Sequence, residues 1–188
     1  MPFKFQPLEI PEVFFIETKV FNDERGFFSE IYKFSDFNNA GIKENFVQTN
    51  CSKSKKGVLR GLHYQLKPKA QGKFISVLRG RIFDVAVDLR KGSQYYGKWV
   101  GKELSEENKC CLWVPFFCAH GFFALEDNTV VLYQTSKEYD QSCERGIIWN
   151  DPDIGIKWPD MKPIVSQKDV KLPFLKEAEN NFIFGEDF

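Results

Sequence analysis

Between Phe46 and Thr135 the chain is cut into short apolar runs, with turn signals about every eight to twelve residues. No long stretch shows the 3.6-residue period of an amphipathic helix. That pattern predicts an all-β antiparallel sandwich, jelly roll or barrel. The predicted strands are 46–52, 57–65, 72–79, 81–88, 99–104, 109–115, 120–126 and 129–135. Upstream, 13–21 and 27–32 flank the polar turn Asn22-Asp-Glu-Arg25-Gly26 and predict a hairpin. Ser35 to Gly41 predicts a short helix, with Ser35 as N-cap and Gly41 as its stop. Lys53 to Lys56 predicts a solvated turn. After Tyr139 the chain is irregular. Ser166 to Asp169 is expected to reach back over the sheet, and Asn180 to Phe188 to be a loosely held tail.

A chain of 188 residues suits one domain. Its 20 phenylalanines fit β-rich packing and stacking pockets. Lys plus Arg and Asp plus Glu are 26 each, a balance that points to neither a nucleic-acid nor a membrane surface. Five cysteines without a Cys-x-x-Cys predict a reduced, cytoplasmic set of small buried residues. Cys110 and Cys111, adjacent on a strand, must point to opposite faces. No apolar run approaches the length of about 18 residues that a membrane helix needs, and the N-terminus lacks a signal-peptide pattern.

The chemistry centres on Arg60-Gly-Leu-His63-Tyr-Gln65, which holds one of the two histidines. Histidine titrates nearest neutral pH and is the default general base. The plain alternative is a core or surface histidine with a hydrogen-bond partner. On a regular strand Gly61, His63 and Gln65 share a face and Arg60 takes the other, unless Gly61 makes a bulge. A jelly-roll metal site commonly needs a His-x-His pair. Here the strand offers His63-Tyr-Gln65, and the other histidine is His120, so no metal is expected.

Several separated motifs carry a resemblance. They are Asp23-Glu-Arg25-Gly-Phe-Phe28, Gly57-Val-Leu-Arg-Gly-Leu-His63-Tyr-Gln65, Gln71-Gly-Lys73, Asp84-Val-Ala-Val-Asp-Leu-Arg90, Trp113-Val-Pro115, Ala119-His120-Gly-Phe122, Asn150-Asp-Pro152 and Ser166-Gln-Lys-Asp169. In order and spacing, from about residue 10 to 175, the chain resembles the dTDP-4-dehydrorhamnose 3,5-epimerase family. The resemblance implies a cupin-like jelly roll with an N-terminal hairpin and a few short helices. In it residues 1–45 are exchanged in a homodimer, 46–137 form the core and 138–188 return Asp169 to the site. It implies an isomerase of the dTDP-L-rhamnose pathway, serving cell-surface polysaccharide, that needs no cofactor and inverts C3 and C5 beside a C4 ketone.

By matching position, His63 would be the base and Asp169 its orienting partner. Lys73, with Arg60, would stabilise the enolate, and Tyr133 would be the acid on the opposite face. Arg25, His120 and Lys168 would contact diphosphate and sugar. Glu30, Gln48, Asn50, Phe28, Tyr139 and Glu144 would surround base and ribose, with Arg25 and Glu30 supplied by the neighbouring subunit. Asp169 as a turn cap and Tyr133 as an interface aromatic are the plain alternatives. Thr49 stands where the family commonly has aspartate. The competing functions are a 3-epimerase of another deoxysugar pathway, a metal-dependent cupin enzyme and a non-catalytic sugar-binding jelly roll.

Overall fold

The computed structural model describes residues 2–186. The strands are β1 (Phe3–Pro7), β2 (Phe14–Thr18), β3 (Val20–Asp23) and β4 (Gly26–Ser29), followed by helix α1 (Phe34–Asn39). The centre runs β5 (Gln48–Ser54), β6 (Val58–Gln65), β7 (Lys73–Arg79), β8 (Arg81–Asp88), β9 (Trp99–Ser105), β10 (Cys111–Val114), β11 (Cys118–Ala124) and β12 (Thr129–Thr135). Two short strands, β13 (Glu144–Gly146) and β14 (Ile164–Val165), precede a 3-10 turn at Asp169–Lys171.

One sheet has the order β1-β2-β10-β7-β12-β5 and the other β13-β6-β11-β8-β9, while β3 and β4 stand apart as a hairpin. The short β14 lies parallel beside the start of β6, with Ile164 opposite Val58. The two sheets pack face to face, as the alternating patterns require. Ile75, Val77, Leu112 and Val131 of the first meet Leu62, Tyr64, Val85 and Leu104 of the second in one buried cluster. Each such side chain contributes about 1.5–3 kcal/mol on burial. A second cluster covers the outer face of the first sheet, where α1 sets Phe37 edge-on to Phe74 at 5.0 Å. Cys110 belongs to the first cluster and Cys111 to the second, the opposite facing that adjacency demands. Among the described residues no helix is long and apolar enough to cross a membrane.

The all-β antiparallel expectation holds, and several local ones do not. Ser35 lies inside α1, whose N-cap is Lys33 without a side-chain hydrogen bond. Lys53 belongs to β5, because that strand pairs with β12 as far as Ser54. The predicted strand 13–21 is two strands with different partners, β2 on β1 and β10, and β3 on β4. Strands β1, β13 and β14 were not expected. The cysteines are not uniformly buried, since Cys51 is exposed and Cys143 intermediate. The tail is not loose through Phe182, which is buried with its ring 6.3 Å from that of Tyr64. Asn181 brackets the backbone of Lys67 with two 3.1 Å hydrogen bonds, and Asn180 donates to the Leu89 carbonyl. The rest of that tail, 187–188, lies outside the described residues.

Candidate active site

A bulge in β6 creates the site. His63 pairs opposite His120 and Arg60 opposite Phe122, so Gly61 and Leu62 together face Gly121. The extra residue changes the phase of the strand, and Arg60 and His63, three positions apart, both line one pocket. Glycine is required there. Gly61 has φ +123, and a Cβ on it would stand 2.6 Å from the Gly121 Cα.

The pocket, about 650 Å³, opens between the two sheets. The first sheet lends Gln48, Asn50 and Ser52 of β5, Lys73 of β7 and Tyr133 of β12. The second lends Arg60, His63, His120 and Glu144. The C-terminal segment adds Lys168 and Asp169, and the stretch after β12 adds Tyr139.

Asp169 reaches back as expected. Its Oδ1 lies 2.8 Å from His63 Nε2, and its Oδ2 accepts from the Gly61 N–H at 3.4 Å. The Ser166 hydroxyl accepts from the Asp169 N–H at 3.0 Å and fixes the turn. Burial opposes the charge on Asp169 more than any single partner favours it, but the His63 hydrogen bond and charge, with the Gly61 and Ser166 hydrogen bonds, together hold the carboxyl below its ordinary value. An ionised carboxylate only accepts, so Nε2 of His63 carries hydrogen and Nδ1 of the neutral ring has its lone pair free.

Lys73 Nζ donates to the His63 carbonyl oxygen at 3.0 Å. Burial pushes its pKa down to about 8, against the pull of the Asp84 and Glu144 carboxylates. Tyr133 is half-buried, which raises its phenol above the ordinary value despite the Arg60 guanidinium, so at neutral pH it keeps its proton. Arg60 donates to the Ser54 hydroxyl at 3.2 Å.

Asp84 was missed by sequence reasoning. It is fully buried, with Oδ1 2.7 Å from His120 Nε2, and burial raises its pKa although His120 pulls the other way. The available signal was a carboxylate inside the apolar run Ile82-Phe-Asp-Val-Ala86. Among the described residues no cluster of three His, Cys, Asp or Glu is placed to hold a metal ion.

At the far end Glu144 joins two neighbours. It accepts from the Tyr139 hydroxyl at 2.9 Å and pairs with Lys168 at 2.5 Å. Gln48 donates to Asn50 Oδ1 at 2.9 Å. Thr49 is exposed and does not line the pocket, so the departure at that position leaves the lining unchanged. Arg25, Phe28 and Glu30 are not brought to this chain's own pocket. Arg25 pairs with Asp23 on the exposed β3–β4 hairpin, and Phe28 is 64% exposed.

The model of the dTDP-4-dehydrorhamnose 3,5-epimerase family matches residues 7–177. A dTDP-4-dehydrorhamnose 3,5-epimerase of Shigella flexneri is 54% identical over 163 residues, 86% of this chain and 90% of that protein. One of Salmonella typhimurium is 50% identical, over 90% of this chain and 93% of that protein. A dTDP-6-deoxy-D-glucose-3,5-epimerase of Legionella pneumophila, solved in complex with dTDP-4-keto-L-rhamnose, superposes with a TM-score of 0.90 at 42% identity. That match covers 93% of this chain and 94% of the other. The chain belongs to the dTDP-4-dehydrorhamnose 3,5-epimerase family of isomerases.

Proposed function

We propose that this pocket inverts C3 and C5 of dTDP-4-dehydro-6-deoxy-D-glucose, giving dTDP-4-dehydro-L-rhamnose. The observation that carries the reading is the convergence of His63 and its Asp169 partner, Lys73 and Tyr133 on one pocket. Both carbons flank the C4 ketone, so loss of either proton leaves an enolate with its charge on the C4 oxygen. His63 takes the proton through Nδ1, and Asp169 stabilises the imidazolium that forms. Lys73, with Arg60, stabilises the enolate oxygen. Tyr133 comes from the opposing sheet and returns a proton to the opposite face of the sugar. Inversion at each centre requires that arrangement, because a proton returned by His63 restores the starting configuration.

His120 and Lys168 contact the diphosphate and sugar, and Gln48, Asn50, Glu144 and Tyr139 surround the nucleoside, with the Tyr139 ring stacking on thymine. The β3–β4 hairpin of a second copy supplies Arg25, Phe28 and Glu30. That placement fits the large apolar surface the hairpin leaves open, where Phe21, Phe27 and Phe28 are each at least 46% exposed. The enzyme acts as a cytoplasmic homodimer without metal or cofactor, so turnover should survive exhaustive chelation.

The test is proton exchange in D₂O with the keto sugar, followed by NMR. Deuterium should enter at both C3 and C5 as the inverted sugar appears. Exchange confined to C3 would make the protein a 3-epimerase, and no exchange at either carbon would end the enolate reading.

A further inference from the structure

We propose that Gln65, with Gln48 and Gln71, forms a side-chain clasp that positions Tyr139, and so sets affinity at the nucleotide end of the site without entering the chemistry. The inference rests on the nucleotide role of Tyr139 proposed above.

The segment between the end of β12 at Thr135 and the start of β13 at Glu144 has no strand beside it. Its backbone groups still need partners where they face the protein. Four consecutive residues find them in three glutamine side chains. Gln71 Nε2 donates to the Lys137 carbonyl at 2.7 Å. Gln65 Nε2 donates to the Glu138 carbonyl at 3.3 Å. The Tyr139 N–H donates to Gln48 Oε1 at 2.8 Å, and the Asp140 N–H to Gln65 Oε1 at 2.7 Å. A primary amide has both donors and an acceptor, so one side chain can serve a carbonyl and a neighbouring N–H as an adjacent strand would. Gln65 does this on both sides of Tyr139.

Gln65 lines the pocket and is only 3% exposed, so direct contact with substrate is the rival reading. Its hydrogen bonds argue against that. The second Nε2 hydrogen goes to the Lys69 carbonyl at 2.6 Å. Both donors are therefore engaged and Oε1 is in use. Two carbonyls and one N–H around a single amide also allow only one orientation of it. The side chain has no donor left for a ligand, and its bonds all run to backbone.

The object held is the Tyr139 ring. Tyr139 as a residue is 52% exposed and lines the pocket, and its hydroxyl is tied to Glu144 at 2.9 Å. With its backbone clasped and its tip tethered, the ring is already ordered before a ligand arrives. Pre-ordering removes a cost that binding would otherwise meet.

The experiment is calorimetric titration with dTDP on the full-length protein, in a double-mutant cycle of Gln65→Met and Tyr139→Ala. Gln65→Met should weaken dTDP by about fivefold or more, the worth of one to two hydrogen bonds. It should raise KM for the keto sugar alike, with kcat within about twofold, because the reacting end is untouched. Tyr139→Ala should weaken dTDP by roughly tenfold or more, as loss of base stacking does. The double variant should bind within about twofold of Tyr139→Ala alone, because Gln65 acts through the ring. An equal Gln65 effect in both backgrounds overturns the clasp and leaves the Tyr139 reading intact, as does a loss confined to kcat. Wild-type affinity in Tyr139→Ala overturns both. Should Gln65→Met fail to fold, Gln71→Met, which loses only the bond to Lys137, runs the same cycle with an expected effect of about threefold.

Discussion

The ammonium of Lys73 donates to the main-chain carbonyl of His63 at 3.0 Å. The cation proposed to meet the enolate is thus anchored on the backbone of the residue proposed to remove the proton. The two come from different sheets, β7 and β6. Their separation is set by one hydrogen bond between packed strands, and neither depends on a mobile loop. A preorganised donor of this kind is worth most in a site that excludes water.

His63→Asn should remove the base while keeping a polar side chain beside Asp169. Turnover and deuterium entry at both carbons should fall together, by roughly 10²–10⁴-fold. The check is an NMR time course in D₂O. Near-normal exchange in this variant would assign the base elsewhere.

Lys73 should give activity and stability opposite slopes in alkali. Its pKa is about 8 in the folded protein, against an ordinary 10.5. Between those values the unfolded chain holds a proton that the folded chain has lost, so this group's contribution to stability rises with pH across the window. Below about 8 both states are protonated and the cost of burying the cation is fully present. Catalysis runs the other way. Losing the proton removes the charge that meets the enolate, so kcat/KM should fall about tenfold per pH unit above about 8. Lys73→Met should abolish that component of both slopes and lower kcat by about 10²–10³-fold. Urea titrations and rate profiles from pH 7 to 10 measure them, and a rate that stays flat to pH 10 refutes the assignment.

The hairpin can be tested by complementation. Arg25→Ala and His63→Asn subunits should each be nearly inactive as homodimers. If the hairpin crosses to the partner, a mixed dimer contains one site with an intact His63 and an intact Arg25. Refolding the two variants together should then restore activity, with a sedimenting species near twice 21.9 kDa. No restoration in a proven mixed dimer would place Arg25 in its own subunit's site.

The eight central strands were legible because short apolar runs alternate with turn signals, a mark that survives even in β10 and β11, which are buried at every position and show no two-residue alternation. The bulge was legible as a possibility, since only glycine tolerates what Gly61 must do. The return of Asp169 was legible through motif order. What was not legible depends on partners far along the chain. Asn180 finds Leu89, 91 residues away, and Gln71 finds Lys137, 66 away. No local period encodes either. Asp84 read as part of a strand because its chemistry depends on His120 of the neighbouring β11, which pairs with Ala86 two residues along and reaches Asp84 through its side chain. Ser35 had the right chemistry for a cap, but Phe37 is pulled into the aromatic cluster and the cap falls two residues earlier, at Lys33.

Tyr133 offers the sharpest separation of steps. It stands on β12, opposite the sheet that carries His63, and burial keeps its phenol protonated. Removing the hydroxyl with Tyr133→Phe should leave His63 able to take a proton and Lys73 able to hold the enolate. The enolate can then be requenched only on the face it came from. Solvent exchange at C3 and C5 should persist within about tenfold of wild type, while net inversion should fall by roughly 10²-fold or more, the usual worth of a positioned acid. One NMR time course reads both, deuterium incorporation against appearance of the inverted sugar. Equal loss of the two would mean that Tyr133 supports enolate formation itself. Loss of neither would make it an aromatic wall, with the second proton delivered by water or another residue.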